Sequence, residues 1–327
     1  MEKTRRLDCA VVACASLSSI HPFGSSRTHC PICCESARKT CNLDCFHCDW
    51  TSLTQSITLS SINIYPASLG VSMNKSTLSI TQHGAVRQIL LDRPEALNAL
   101  NGQMTDDLTD AFLEAQQDDQ VKVVLLSGAG RAFWAGADLM EMGSGRAETR
   151  HTFQDLMMSL IEFSKPLLIA VNGVGVGIGA TICGMADAVF MSDQARLRCP
   201  FSSLGLTAEA CSTVTFSALM GHQRASWFLL SSEWMDANAC IEAGLALEVI
   251  AHENLLARAM EKAQQLAALP LSSLQTTKGL MKAPLKGALI EAMQRENKGL
   301  AALTGSPANR EALSAFKEKR TPNFDGL

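Results

Sequence analysis

The sequence predicts an α/β core carrying a helical C-terminal subdomain. Three observations predict it. From Thr77 onward, apolar runs rich in β-branched residues alternate with segments of helical period. Several of these runs are apolar at every position, as strands buried on both faces are. Beyond Asp236 the pattern is mostly helical to the end of the chain.

The elements follow in order. Residues 85–91 read as a strand closed by Asp92-Arg93-Pro94. Thr105 is placed as the cap of a helix running to about residue 117, with Leu108, Phe112 and Leu113 on one face and acids in the first turn. Residues 121–126, apolar except for Lys122 and rich in β-branched residues, read as a buried strand that ends at Ser127-Gly128-Ala129-Gly130. A helix is expected over about 148–164, and Pro166 fits its termination. Residues 167–171 are a second buried strand, running into a glycine-rich turn and a short apolar helix over about 178–185. Residues 188–191 are a third strand. The tail predicts helices over about 236–244, 253–268, 271–282, 285–302 and 307–318, broken at Pro270, Pro284 and Pro307. No internal repeat of fixed period is present.

Composition sets bounds on function. With 327 residues, 47% hydrophobic and 18% charged, the chain has ordinary globular composition. A net charge of −4 argues against an overall affinity for nucleic acid or anionic membrane. No apolar run reaches the roughly 20 residues that a bilayer span needs. Eight of the twelve cysteines (Cys9, Cys14, Cys30, Cys33, Cys34, Cys41, Cys45, Cys48) fall in the first 48 residues. The other four, Cys183, Cys199, Cys211 and Cys240, stand singly in apolar context as buried thiols do, which predicts a reducing compartment. No clear targeting signal is legible, so the expected location is cytoplasmic, with mitochondrion and peroxisome left open.

Three segments put irregular backbone directly after a buried strand, where α/β folds place their sites. The first is Arg131-Ala132-Phe133-Trp134-Ala135-Gly136-Ala137-Asp138-Leu139. Its small residues let a ligand approach the main chain, though the segment also fits an ordinary strand–turn–helix. The second, Asn172-Gly173-Val174-Gly175-Val176-Gly177-Ile178-Gly179-Ala180, only superficially echoes a dinucleotide fingerprint. The spacing is wrong, and no acidic residue ends a following strand at the required distance. Alternating glycines before a helix instead fit backbone N–H groups presented to a developing oxyanion. The third runs from Pro200 to Ser212 and holds Glu209, a lone carboxylate among small and apolar neighbours. It suits a general base, and equally a solvated acid at the start of a helix over 212–219.

Together these segments resemble the crotonase (enoyl-CoA hydratase/isomerase) superfamily over about residues 76–327. The resemblance rests on Leu91-Asp92-Arg93-Pro94-Glu95-Ala96-Leu97-Asn98-Ala99-Leu100, Ala135-Gly136-Ala137-Asp138 and Ala170-Val171-Asn172-Gly173 with Asp187. It extends to Ser314-Ala315-Phe316 with Lys319-Arg320, all in family order. It implies a crotonase-like spiral of ββα units with a C-terminal helical region used in assembly to a trimer or hexamer. The core is expected over about 76–235 and the helical region over about 236–327. It also implies an acyl-CoA thioester ligand and an oxyanion hole made by the N–H groups of Ala135 and Ile178. Ala135, Gly136, Ala137, Asp138, Leu139, Gly177 and Phe201 would contact the substrate. No metal is implied, and no cofactor beyond the coenzyme A that is part of the substrate.

Hydratases of this superfamily resemble one another in two glutamates, at positions that hold Thr181 and Phe201 here. Gly205-Leu206-Thr207-Ala208-Glu209-Ala210-Cys211-Ser212-Thr213 instead resembles the Δ3,Δ2-enoyl-CoA isomerases related to the peroxisomal enzyme, which carry one catalytic glutamate at this place. The implied activity is conversion of 3-enoyl-CoA to 2-enoyl-CoA by Glu209. The rival readings are a hydratase or other crotonase-type lyase, and an acyl-CoA-binding scaffold without turnover.

Residues 1–72 are rich in Ser, Thr and Cys and show no sustained period. Cys30-Pro31-Ile32-Cys33 and Cys45-Phe46-His47-Cys48 form a paired CxxC pattern, a zinc signal weakened by the short spacing and the lack of a hydrophobic pattern around it. The preferred expectation is an unstructured extension, with the domain spanning 73–327.

Overall fold

A computed structural model of the chain describes residues 75–142 and 149–327. The expectations for residues 1–72, the paired CxxC pattern included, lie outside the described residues.

Two sheets form the framework. The larger contains β1 (Leu78–His83), β2 (Val86–Leu91), β3 (Val123–Gly128), β5 (Leu167–Val171), β7 (Ala188–Ser192) and β10 (Glu248–Ile250), in that spatial order. β1 and β2 are an antiparallel hairpin, and every later pairing is parallel. The smaller contains β4 (Ala132–Trp134), β6 (Val174–Val176), β8 (Arg196–Arg198) and β9 (Trp234–Asp236). Each of the pairs β3–β4, β5–β6 and β7–β8 sends its first strand to the large sheet and its second to the small one. That is the expected spiral of ββα units.

The large sheet is buried on both faces, which is why residues 123–126 of β3 and all of β5 read as unbroken apolar runs. Val124, Leu126, Ile169 and Val171 face the main core, with α1 (Gly102–Gln117) and α3 (Phe153–Glu162). Val123, Leu125, Leu168 and Ala170 face Leu255, Ala259 and Ala263 on α8 (Leu255–Ala267). Burying each such large aliphatic side chain contributes about 1.5–3 kcal/mol.

The structure corrects several local expectations. The first helix is capped by Asn101, whose side chain accepts from Met104 N–H at 2.9 Å, so Thr105 lies inside it and bonds back to the Asn101 carbonyl. Leu108 and Phe112 face the core, while Leu113 turns to solvent. The helix expected over 148–164 starts later, at a complete capping box of Thr152 and Asp155. Beyond Asp236 the chain is mostly helical as expected, with the one addition among the described residues that β10 returns to pair with β7. Pro284 does not break the tail. Residues Leu271–Leu303 form one helix, α9, with Pro284 inside it on the exposed side, where water can meet the carbonyl that its missing N–H leaves unpaired. The last helix, α10 (Pro307–Glu318), has the expected bounds.

No helix among the described residues is long and apolar enough to cross a membrane.

Candidate active site

The site is built where three loops meet at the edge of the small sheet. The first follows β4. The segment Leu91–Leu100 shapes it, which explains why its residue types matter. Arg93 donates to Asp138 Oδ2 at 3.1 Å and to the Ala99 carbonyl at 2.6 Å. Asn98, fully buried, accepts from Arg93 N–H and donates to the carbonyls of Ala129, Ala132 and Phe133. Leu100 then pairs with the loop as an isolated parallel bridge. Its N–H donates to the Gly136 carbonyl at 2.7 Å, and its carbonyl accepts from Asp138 N–H at 2.9 Å.

This pairing corrects the expected oxyanion hole. The Ala135 N–H donates to the Leu97 carbonyl at 3.0 Å and is therefore taken. Successive peptide groups of an extended segment point to opposite sides. Gly136 and Asp138 use their polar groups on Leu100, so the Ala137 N–H points the other way. Among the described residues no backbone carbonyl accepts from it.

The second loop is the turn from β6 into the four-residue helix α4 (Ile178–Thr181). Gly177 sits at φ 54°, ψ −118°, a conformation essentially reserved for glycine. Its N–H donates to the Arg198 carbonyl and its carbonyl accepts from Ala180 and Thr181 N–H. The Ile178 N–H opens the helix, so it has no acceptor within it. Gly179 has a different purpose: a β-carbon there would collide with the Trp134 carbonyl, so the residue must be glycine for the turn to rest on β4.

The third loop runs from Pro200 through the 3-10 turn Ser202–Leu204 to α5 (Ser212–Met220). It carries half-buried Glu209, followed by Ala210 and Cys211, two non-glycine residues at φ 58° and 61°. Glu209 Oε1 lies 3.6 Å from where a β-carbon on Gly177 would sit, so the carboxylate faces the turn that presents Ile178 N–H.

All three loops open on one cavity of about 880 Å³. Every candidate from the sequence lines it: residues 135–139, Gly177, Ile178, Phe201 and Glu209. Thr181 is fully buried and bonds the Gly177 carbonyl through its hydroxyl at 3.2 Å, so it supports the turn from behind. The cavity also includes Arg198 and Trp234 on the short strands β8 and β9, and Asn297 and Leu300 on α9. Sequence reading missed these four. The in–out alternation of Arg196, Leu197 and Arg198 is the signal that marks β8, with Leu197 buried and Arg196 lying over the Trp234 ring at 4.2 Å.

The four cysteines beyond residue 180 are buried thiols. Burial pushes Cys211 and Cys240 up to about 12, and raises Cys183 and Cys199 as well, so none is a thiolate at neutral pH.

Comparison with known proteins agrees with the fold. The family model for enoyl-CoA hydratase/isomerase matches residues 81–326. The chain belongs to the enoyl-CoA hydratase/isomerase family. It is 32% identical over 220 residues to enoyl-CoA delta isomerase 2 of Rattus norvegicus, covering 65% of this chain and 56% of that one. The chain thus spans little more than half the length of that relative. It is also 32% identical over 253 residues to 2,3-dehydroadipyl-CoA hydratase of Escherichia coli K12, covering 77% of this chain and 99% of that one. A crystal structure of an enoyl-CoA hydratase/isomerase from Pseudoalteromonas atlantica superposes with a TM-score of 0.73 at 31% identity, covering 76% and 99% of the two chains. The architecture described above is the crotonase fold.

Proposed function

We propose that the protein isomerises the double bond of an acyl-CoA thioester, converting 3-enoyl-CoA to 2-enoyl-CoA. One observation carries this reading: the Glu209 carboxylate faces the Gly177–Ile178 turn in the cavity, while the two positions that would hold a hydratase's glutamates are Thr181 and Phe201. Activating water and protonating a carbon needs an acid/base pair there. Moving one proton needs one base.

The geometry supports the following steps. The thioester oxygen sits against the N–H groups of Ile178 and, in place of Ala135, Ala137. Glu209 takes a proton from C2, which the thioester carbonyl acidifies, and the electron pair delocalises over C2–C4 as a dienolate. The two N–H groups stabilise the charge on oxygen. Glu209 then returns the proton to C4, leaving the conjugated product and a regenerated carboxylate. The scheme calls for no metal, flavin or nicotinamide. Gly136, Asp138, Leu139 and Phe201 shape the walls around the acyl thioester.

The similarity to a hydratase over nearly all of its length favours hydration as the second reading. The test is purified protein with 3-hexenoyl-CoA. Rising absorbance of the conjugated enoyl thioester supports isomerisation, whereas loss of that absorbance from 2-hexenoyl-CoA supports hydration.

Assembly to a trimer or hexamer fits the exposed apolar side chains. Leu280 and Met281 on α9, and Trp227 and Leu230 on α6 (His222–Ser231), are each more than 60% exposed, whereas Leu289 and Met293 are spent on the internal core. Sedimentation at micromolar concentration should give three or six protomer masses, and one protomer mass would rule the assembly out.

A further inference from the structure

Glu296 lies on α9, 85 residues beyond Cys211 in the chain, and is 5% exposed. Its carboxylate gathers three donors at the start of α5. Oε2 accepts from Cys211 N–H at 2.7 Å, while Oε1 accepts from Thr213 N–H at 3.0 Å and from the Thr213 hydroxyl at 2.6 Å. The first N–H groups of a helix lack partners within it, and a side chain at the cap position usually meets them. Here that position is Cys211, which offers no such cap and donates its thiol to the Leu289 carbonyl. A distant glutamate does what the local residue does not.

The place it acts on is the turn beside the base. Ala210 and Cys211 are consecutive left-handed residues that carry side chains, an arrangement that persists only where the surroundings hold it. Glu209 is the residue immediately before them. Two more residues of α9, Asn297 and Leu300, line the cavity. The helix that bounds the substrate space therefore also ties down the loop carrying the carboxylate.

We propose that Glu296 is a positioning residue for Glu209. By holding the 210–211 turn from α9, it fixes the carboxylate against the Gly177–Ile178 turn. This rests on the reading of Glu209 as the base. Without the anchor the turn relaxes toward ordinary backbone angles, and a shift of about 1 Å in a reacting group is enough to cost on the order of 10²-fold in rate.

The test uses the full chain as wild type, Glu209→Gln, Glu296→Gln and Glu296→Ala. Turnover of 3-hexenoyl-CoA, thermal melting and amide hydrogen exchange are measured on each. Glu296→Gln keeps the shape and one acceptor oxygen. Its kcat should fall by about 10- to 100-fold with KM within about threefold, and exchange should quicken at Cys211 and Thr213 but not in the sheets. Glu296→Ala should lose more. A purely structural role predicts lower melting temperatures with unchanged kcat per folded molecule, and that result overturns the proposal. If the wild type does not isomerise, the reading of Glu209 fails separately, and exchange alone judges the anchor: unchanged protection at Cys211 and Thr213 overturns it, and local loss supports it.

Discussion

The Oε1 atom of Glu209 and the α-carbon of Gly177 face each other so closely that a β-carbon on Gly177 would stand 3.6 Å from the carboxylate. That point also lies 3.9 Å from the Gly136 α-carbon. The bare glycines leave an open space between Glu209 and the Gly177–Ile178 turn, where the proposed scheme puts the reacting carbons of the thioester.

Gly177→Ala should damage both stability and turnover. Alanine at φ 54°, ψ −118° is strained by about 1–3 kcal/mol, and its methyl enters the space before Glu209. Urea unfolding should show the stability loss, and kcat/KM should fall at least tenfold. A variant with wild-type kinetics would show that this space is not where the substrate reacts.

Thr181→Ala and Phe201→Leu should each retain turnover within about tenfold of the wild type. Neither side chain moves a proton in the scheme: Thr181 supports the turn and Phe201 is a wall of the cavity. The wild type should add no water to 2-hexenoyl-CoA. Measurable hydration would mean that Glu209 works with an acid outside these two positions.

How much of this was legible in the sequence depended on the range of the interactions. Residues 167–171 form a strand with the expected bounds because burial on both faces makes every position apolar. The strands β4, β6, β8 and β9 have three residues each, so even the alternation in β8 is too short to predict a strand without the pairing that defines it. Glu209 stood out from its setting and its motif. The direction of the Ala135 N–H did not, because it is set by pairing with Leu97, 38 positions earlier in the chain. Glu296 left no sequence signal, since its role depends on α9 crossing α5. Continuity of α9 through Pro284 was hidden for a similar reason: tertiary packing on both sides of an exposed proline overrides its local preference.

Lys282 gives the fold a pH dependence. It donates to the carbonyls of Leu160, Ile161 and Phe163 at the end of α3. Burial, reinforced by Lys278, pushes its ammonium down to about 8, against the opposing pull of Asp187 and Glu162 and with a smaller push from Lys286. Between pH 8 and 10.5 the unfolded chain therefore holds this proton more often than the folded one. Stability from this group rises with pH through that window, and its cost is fully present below pH 8. Denaturation midpoints of wild type and Lys282→Met from pH 7 to 10 should diverge in the wild type's favour as pH rises. A constant gap would show that Lys282 keeps its ordinary affinity for protons.

The most direct test of the central claim is the turnover of 3-hexenoyl-CoA by Glu209→Gln, with acyl-CoA affinity measured alongside. Glutamine keeps the size and hydrogen-bonding reach of the side chain but cannot take the proton from C2. The account predicts a fall in kcat of about 10²–10⁴-fold with affinity nearly unchanged, because backbone N–H groups hold the thioester. A variant that keeps more than about a tenth of wild-type turnover would contradict single-base isomerisation by Glu209.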